Sequence, residues 1–299
     1  MQLSRRLSRL AAREAVTRDR ALHRVIMGTV APSDKALEEQ RDFECRLASS
    51  RALHELEDAI GFLEDRGMLT LTADCAIPSL FAACHEPPYR EGAHGFASWP
   101  ATKWWWGSAL QRVDGVTTLK IHNGKNLFLS KRLLALVDPI CRGELQRFLA
   151  RPTTSEQDQL TRRLLHHLEA VGPSSLESLQ LELGLHSRAL RALRYPLERC
   201  GALVRRPPAT VEDEESISSS ELWRYDQLVV EPLAPGRDPA DSLEDLVAEG
   251  VVAAVLVPER ELARWFSWRW YVRPDMVDRL VRGGRVRRVG DGQVASVRS

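Results

Sequence analysis

The chain lacks the features that announce a metalloenzyme, a secreted scaffold or a membrane protein. Its five cysteines, Cys45, Cys75, Cys84, Cys141 and Cys200, are isolated and odd in number, and none forms a C-x-x-C pair. That spacing indicates neither a zinc site nor a disulfide framework, and it fits small buried thiols in a reducing cytoplasm. His166 and His167 have no second ligand at metal spacing, so no metal and no cofactor is expected. No apolar run is long enough to span a bilayer, and the Arg-rich N-terminus lacks the apolar segment of a secretion signal. Gly290-Asp291-Gly292 lacks the strand-to-helix setting of a phosphate loop, which removes the usual nucleotide-binding enzymes.

Lysine is scarce beside arginine, and the net charge is only +1. Neutrality conceals an uneven distribution. Arg5, Arg6, Arg9, Arg13, Arg18, Arg20 and Arg24 face only Glu14 and Asp19, and residues 258–299 carry ten arginines against five acids. Two basic ends around a compensating middle suit a localised anionic partner.

What is present is clearest in residues 155–206. Leu160, Leu164, Leu165 and Leu168 follow the polar run Thr153-Thr154-Ser155 at the spacing of one buried helix face, and Gly172-Pro173 stops that helix. Ser174-Ser175 can cap a second helix, with Leu176, Leu179, Leu181 and Leu183 as its stripe. After Gly184, a third helix carries Leu190, Leu193 and Leu197 on one face and Arg188, Arg191 and Arg194 on another, although Pro196 removes one amide donor from it. Ala202 to Arg206 then reads as a first wing strand, which completes a winged helix-turn-helix. Its wing continues into Pro207-Pro208 and an acidic, Ser-rich stretch from Glu212 to Ser220, which phosphate would repel. The strand resumes at Leu222.

The C-terminus repeats this logic. A helix over 242–249 leads into the apolar run Val251 to Val257. Pro258 and Pro274 open two further helices, and Gly290-Asp291-Gly292 joins two short strands. This wing is basic, with Arg285, Arg287 and Arg288 as phosphate contacts. Upstream, residues 33–67 read as two helices, the second capped from Ser49-Ser50 and buried through Leu53, Leu56, Ile60 and Leu63. A strand over Met68–Thr72 follows, then a brief helix from Pro78 to Cys84. Asn123-Gly124 joins two strands in a type I′ hairpin, with Lys120 and Lys125 as further phosphate contacts. A helix beginning at Leu133 is interrupted at Pro139 and resumes near Glu144. Trp104, Trp105 and Trp106 cannot all face one core, because successive side chains diverge. A platform for an unpaired base and a clamp between domains are both open readings.

The expected fold is therefore mainly α with short β-hairpins, an α+β chain of tandem winged helix-turn-helix units. Its segments are a basic arm (1–32), a helical region with a hairpin (33–150), a winged helix with an acidic insertion (151–235) and a C-terminal unit with a basic wing (236–299).

Two winged helices in series behind a helical region that ends in a hairpin resemble the winged-helix DNA glycosylases of the AlkZ and YcaQ type, most of all over Leu193 to Leu203. The resemblance covers most of the chain from about residue 33, as an order of elements. It implies a basic, concave surface for double-stranded DNA and metal-independent excision of alkylated or crosslinked bases. The family's Q-x-Q or Q-x-D motif follows a first long helix, where this chain reads Thr70-Leu71-Thr72, without Gln and with Asp74 nearby. The family's R-G-T-x-H hairpin is replaced by Asn123-Gly124-Lys125-Asn126-Leu127. The resemblance thus implies an AlkZ-related protein with altered or absent chemistry.

Base excision without a metal needs a pocket for the extruded base and a carboxylate or amide to orient water. Asp74 and Asn126 are the candidates for that role, with Lys103 or Lys125 as a candidate amine nucleophile. Glu86, Glu91, His94 and His122 are lesser ones. A transcriptional regulator and a protein-interaction scaffold are the alternative readings. A monomer is favoured, in the cytoplasm and associated with the nucleoid.

Overall fold

The computed structural model describes residues 34–87, 90–92, 105–207 and 220–297. The basic arm, His94, Lys103, Trp104 and the acidic stretch up to Ser219 lie outside the described residues. The chain runs α1 (Asp34–Glu44), α2 (Leu56–Arg66), β1 (Met68–Thr70), β2 (Val116–His122), β3 (Lys125–Ser130) and α3 (Lys131–Ala150). It continues with α4 (Glu156–Val171), β4 (Ser174–Ser175), α5 (Leu176–Leu183), α6 (Ser187–Arg199), β5 (Leu203–Arg206) and β6 (Glu221–Arg224). Last come α7 (Pro239–Ala254), β7 (Leu256–Pro258), α8 (Met276–Arg282), β8 (Val286–Val289) and β9 (Gln293–Ser296). One-turn helices fill several connections.

Three sheets share one connectivity. Each has a lone strand, then helical turns, then a hairpin whose second strand sits in the middle: β1-β3-β2, β4-β6-β5 and β7-β9-β8, all antiparallel. Among the described residues, a helix precedes each lone strand, and in the first unit the short turns at Ala82–Cys84 and Trp106–Ala109 stand between the lone strand and its hairpin.

The caps explain most boundaries. Ser155 and Asp158 form a capping box at α4, Ser175 caps α5, and the left-handed Gly184 closes it. Asp238 accepts from the amides of Ala240 (2.8 Å) and Asp241 (3.0 Å) ahead of Pro239, so α7 is longer than the 242–249 stripe predicts. Several expectations change. The second helix begins at Leu56, because Glu55 and Asp58 cap it, while Ser49–Arg51 is a separate 3₁₀ turn. Leu181 is 84% exposed and leaves the α5 stripe. The turn expected from Pro78 is helical only over Ala82–Cys84. Pro139 does not interrupt α3: Leu133 and Val137 before it and Ile140, Cys141 and Leu145 after it are buried on one face. That burial outweighs the ~3 kcal/mol that an interior proline costs.

One core joins the units. Met68 and Ile121 of the first, Leu168 and Leu203 of the second and Trp265, Trp268 and Val294 of the third belong to the same buried cluster, with α3 as its spine. Gly250 on α7 is required by this packing, because a Cβ there would lie 2.6 Å from Trp265 Cζ3. A second cluster under α2 contains Leu53, Phe62, Leu80 and Phe128, with Trp106 packed against it. Helix α1 lies on the third sheet: Leu37 packs with Val255, Leu256 and Ala295, and Arg41 Nη1 donates to Leu256 O at 2.9 Å. The start of the described chain is thereby tied to its end.

Candidate nucleic-acid interface

The turn of the first hairpin is where the three units meet. Asn123 and Gly124 have φ of 51° and 83°, as a type I′ turn requires. A side chain at Gly124 would strike the Tyr195 hydroxyl on α6. On the other side, the third unit takes Asn123 Nδ2 on Arg264 O (2.8 Å) and supplies Ser267 N–H to Ile121 O (2.8 Å). This turn is therefore a packed junction.

Asp74 arrives at the junction on a loop closed by hydrogen bonds. Thr70 bridges it, donating its N–H to Pro78 O and accepting at its carbonyl from Leu80 N–H (both 2.9 Å), and Ala76 N–H donates to Glu261 Oε2 at 3.0 Å. Asp74 Oδ1 lies 3.2 Å from His122 Nε2, Lys125 Nζ pairs with Oδ2, and His122 Nδ1 sits 2.6 Å from Trp265 O. Burial would raise the Asp74 carboxyl, but the hydrogen bonds from His122 and Lys125 outweigh it and hold the group down at about 2. Burial would lower His122, yet its bonds to Asp74 and Cys75 push the imidazole up to about 10. Both Asp74 oxygens are thus matched by cations.

Asn126 stands elsewhere, in a cleft of about 150 Å³ between the first hairpin and β5. Arg112, Thr118, Lys120, Arg205, Arg206 and Ser220 also line it. Glu198 forms its floor, almost fully buried, and takes Lys120 Nζ at 2.5 Å and Arg194 beside it. Arg205 donates to Ser220 Oγ at 3.0 Å, and Arg206 lies 6.0 Å above the Trp223 ring. Burial lowers both Lys120 and Arg205. Arg112 and Arg206 have no carboxylate partner among the described residues, so the cleft keeps an excess of positive charge.

On α6, Arg188 and Arg191 are exposed, whereas Arg194 turns inward to Glu198. The third wing differs from its reading as a free basic surface. Arg285 pairs with Asp245, and Arg288 binds Glu259 (2.8 Å) and Asp278 (2.7 Å), while Arg287 is half-buried. Of the tryptophan run, Trp105 is 47% exposed and Trp106 half-buried. Sequence reading missed the cleft arginines as a group. Arg205 and Arg206 were legible only as strand, and Arg112 had no visible neighbour.

No protein-family model and no curated protein sequence matches the chain. Among known structures, it is similar to Streptomyces sahachiroi DNA glycosylase AlkZ, at 13% identity and a TM-score of 0.52, over 90% of this chain and 71% of that one. The likeness is one of fold.

Proposed function

We propose that this protein binds duplex DNA and recognises damaged or distorted bases, as a tandem winged-helix relative of the alkylation- and crosslink-repair glycosylases. The observation that carries the reading is the cationic cleft between the first hairpin and β5, where Arg112, Lys120, Arg205 and Arg206 surround the Asn126 amide. Cations there would hold backbone phosphate, and the amide would face a nucleotide drawn toward the hairpin. Arg188 and Arg191, exposed on α6, extend the positive surface into the second unit.

Recognition is favoured over excision by the state of Asp74. A carboxylate that takes a proton from water needs basicity, and the hydrogen bonds from His122 and Lys125 lower that of Asp74. The test is titration of a labelled duplex bearing one alkylated purine at several salt concentrations, followed by hot alkali. Salt-sensitive binding without strand breaks is expected. Breaks at the lesion would establish a glycosylase, and binding that ignores salt, or no binding, would overturn the assignment to DNA.

A further inference from the structure

We propose that Asp74, Cys75 and His122 form a binding site for one divalent zinc-class cation, with the fourth position open to water. One ligand atom from each, a carboxylate oxygen, the thiol sulfur and an imidazole nitrogen, lies within 4.8 Å of the other two. Tetrahedral zinc, with ligand bonds of about 2.0–2.3 Å, brings such atoms slightly closer together than this, so side-chain adjustment suffices. A thiolate, an imidazole and a carboxylate together select zinc over magnesium or calcium, which take oxygen ligands.

The orientation of His122 argues for a metal over a nucleophile. Trp265 O can only accept, so Nδ1, 2.6 Å away, carries a proton. Nε2 is then the nitrogen that faces Asp74 Oδ1, at 3.2 Å, and the one that would give up its proton to a metal. A Cys-His-Asp relay would place thiol and carboxylate on opposite ring nitrogens. Here a backbone carbonyl takes Nδ1 and the carboxylate faces Nε2, so neither nitrogen is left for a relay, and the arrangement matches the second-shell pattern of a metal-bound histidine. The His122 side chain is 5% exposed, while Asp74 lies at the surface and Cys75 is half-buried, so the site is rigid at its base and open to entry. Glu261, on the amide of Ala76, holds the loop that presents two of the ligands. Lys125 occupies Asp74 Oδ2 and leaves Oδ1 facing His122. It is the exposed cation that a metal would push aside. The site does not depend on the DNA reading.

The experiment uses the full chain without a histidine tag, stripped with chelator and titrated with zinc chloride against a chromophoric chelator of micromolar affinity, then with cobalt(II). One equivalent of zinc should be withdrawn from the chelator. Cobalt should give a thiolate charge-transfer band and intense tetrahedral ligand-field bands. Cys75→Ser should abolish the charge-transfer band and weaken zinc at least tenfold, and Lys125→Ala, which frees Asp74, should bind more tightly than the native chain. Failure of the native chain to compete for zinc would overturn the proposal, as would unchanged zinc and cobalt binding in folded Cys75→Ser.

Discussion

Of the five thiols, Cys75 alone is more than marginally exposed, and that difference sets their chemistry. Burial pushes Cys45 up to about 11 and Cys200 up to about 12, and it raises Cys141 as well, while Cys84 is buried with its sulfur 3.2 Å from Leu80 O. Brief treatment of the native protein with iodoacetamide, followed by peptide mass mapping, should therefore label Cys75 first. The other four should remain unmodified until the chain is unfolded. Rapid labelling of Cys141 or Cys200 would contradict the packing of Cys141 against the turn that follows α6 at Gly201. The same residue shows where sequence reading stops. Cys75 was visible only as one of five isolated thiols, because its partner His122 lies far along the chain, at the end of β2. A ligand group assembled by tertiary packing leaves no spacing to find, and the expectation of no metal rested on spacing alone.

At the level of elements, helices and turns were legible where their signals are local. The leucine stripe of α4, the Ser175 cap, the left-handed Gly184 and the Asn123-Gly124 turn each act within a few residues, and each appears where the pattern puts it. The continuity of α3 through Pro139 was not legible, because it follows from burial against partners distant in sequence. Glu144 on that helix shows the consequence. It is fully buried and accepts from Trp270 Nε1 (3.0 Å) and Tyr271 Oη (2.9 Å), with Arg147 paired beside it. Glu144→Ala would leave these donors from the third unit without their acceptor. It should cost about 1–3 kcal/mol in urea unfolding, the range for donors left without a partner, since Arg147 and Trp270 are partly exposed to water. A loss below ~1 kcal/mol would mean that the carboxylate is dispensable to the α3 contact.

Across the described residues, the fold pairs much of the charge and leaves other cations without carboxylates. Three of the arginines that make the C-terminal sequence look basic are met by the acidic first turns of α7. Arg273 binds Asp238 (3.2 Å), Asp241 (2.5 Å) and Glu244 (3.0 Å), Arg279 binds Glu244 (3.0 Å), and Arg285 pairs with Asp245. Sequence windows count charge along the chain, whereas a phosphate meets what remains after the fold has paired it. In the cleft of the first hairpin, Glu198 answers Lys120 and Arg194, but Arg112 and Arg206 stay without carboxylates among the described residues, beside the half-buried Arg205. If phosphate is held there, Arg205→Ala with Arg206→Ala should weaken duplex binding and reduce the slope of log K against log salt by about 1.8, from 0.9 for each lost contact. Arg285→Ala with Arg288→Ala should change the slope much less, because those guanidiniums are already neutralised, and should instead lower the melting temperature. Filter-binding titrations of both double variants over a range of salt concentrations decide between the two surfaces. A larger slope change in the Arg285 and Arg288 pair would move the interface to the third wing and require its ion pairs to open on DNA.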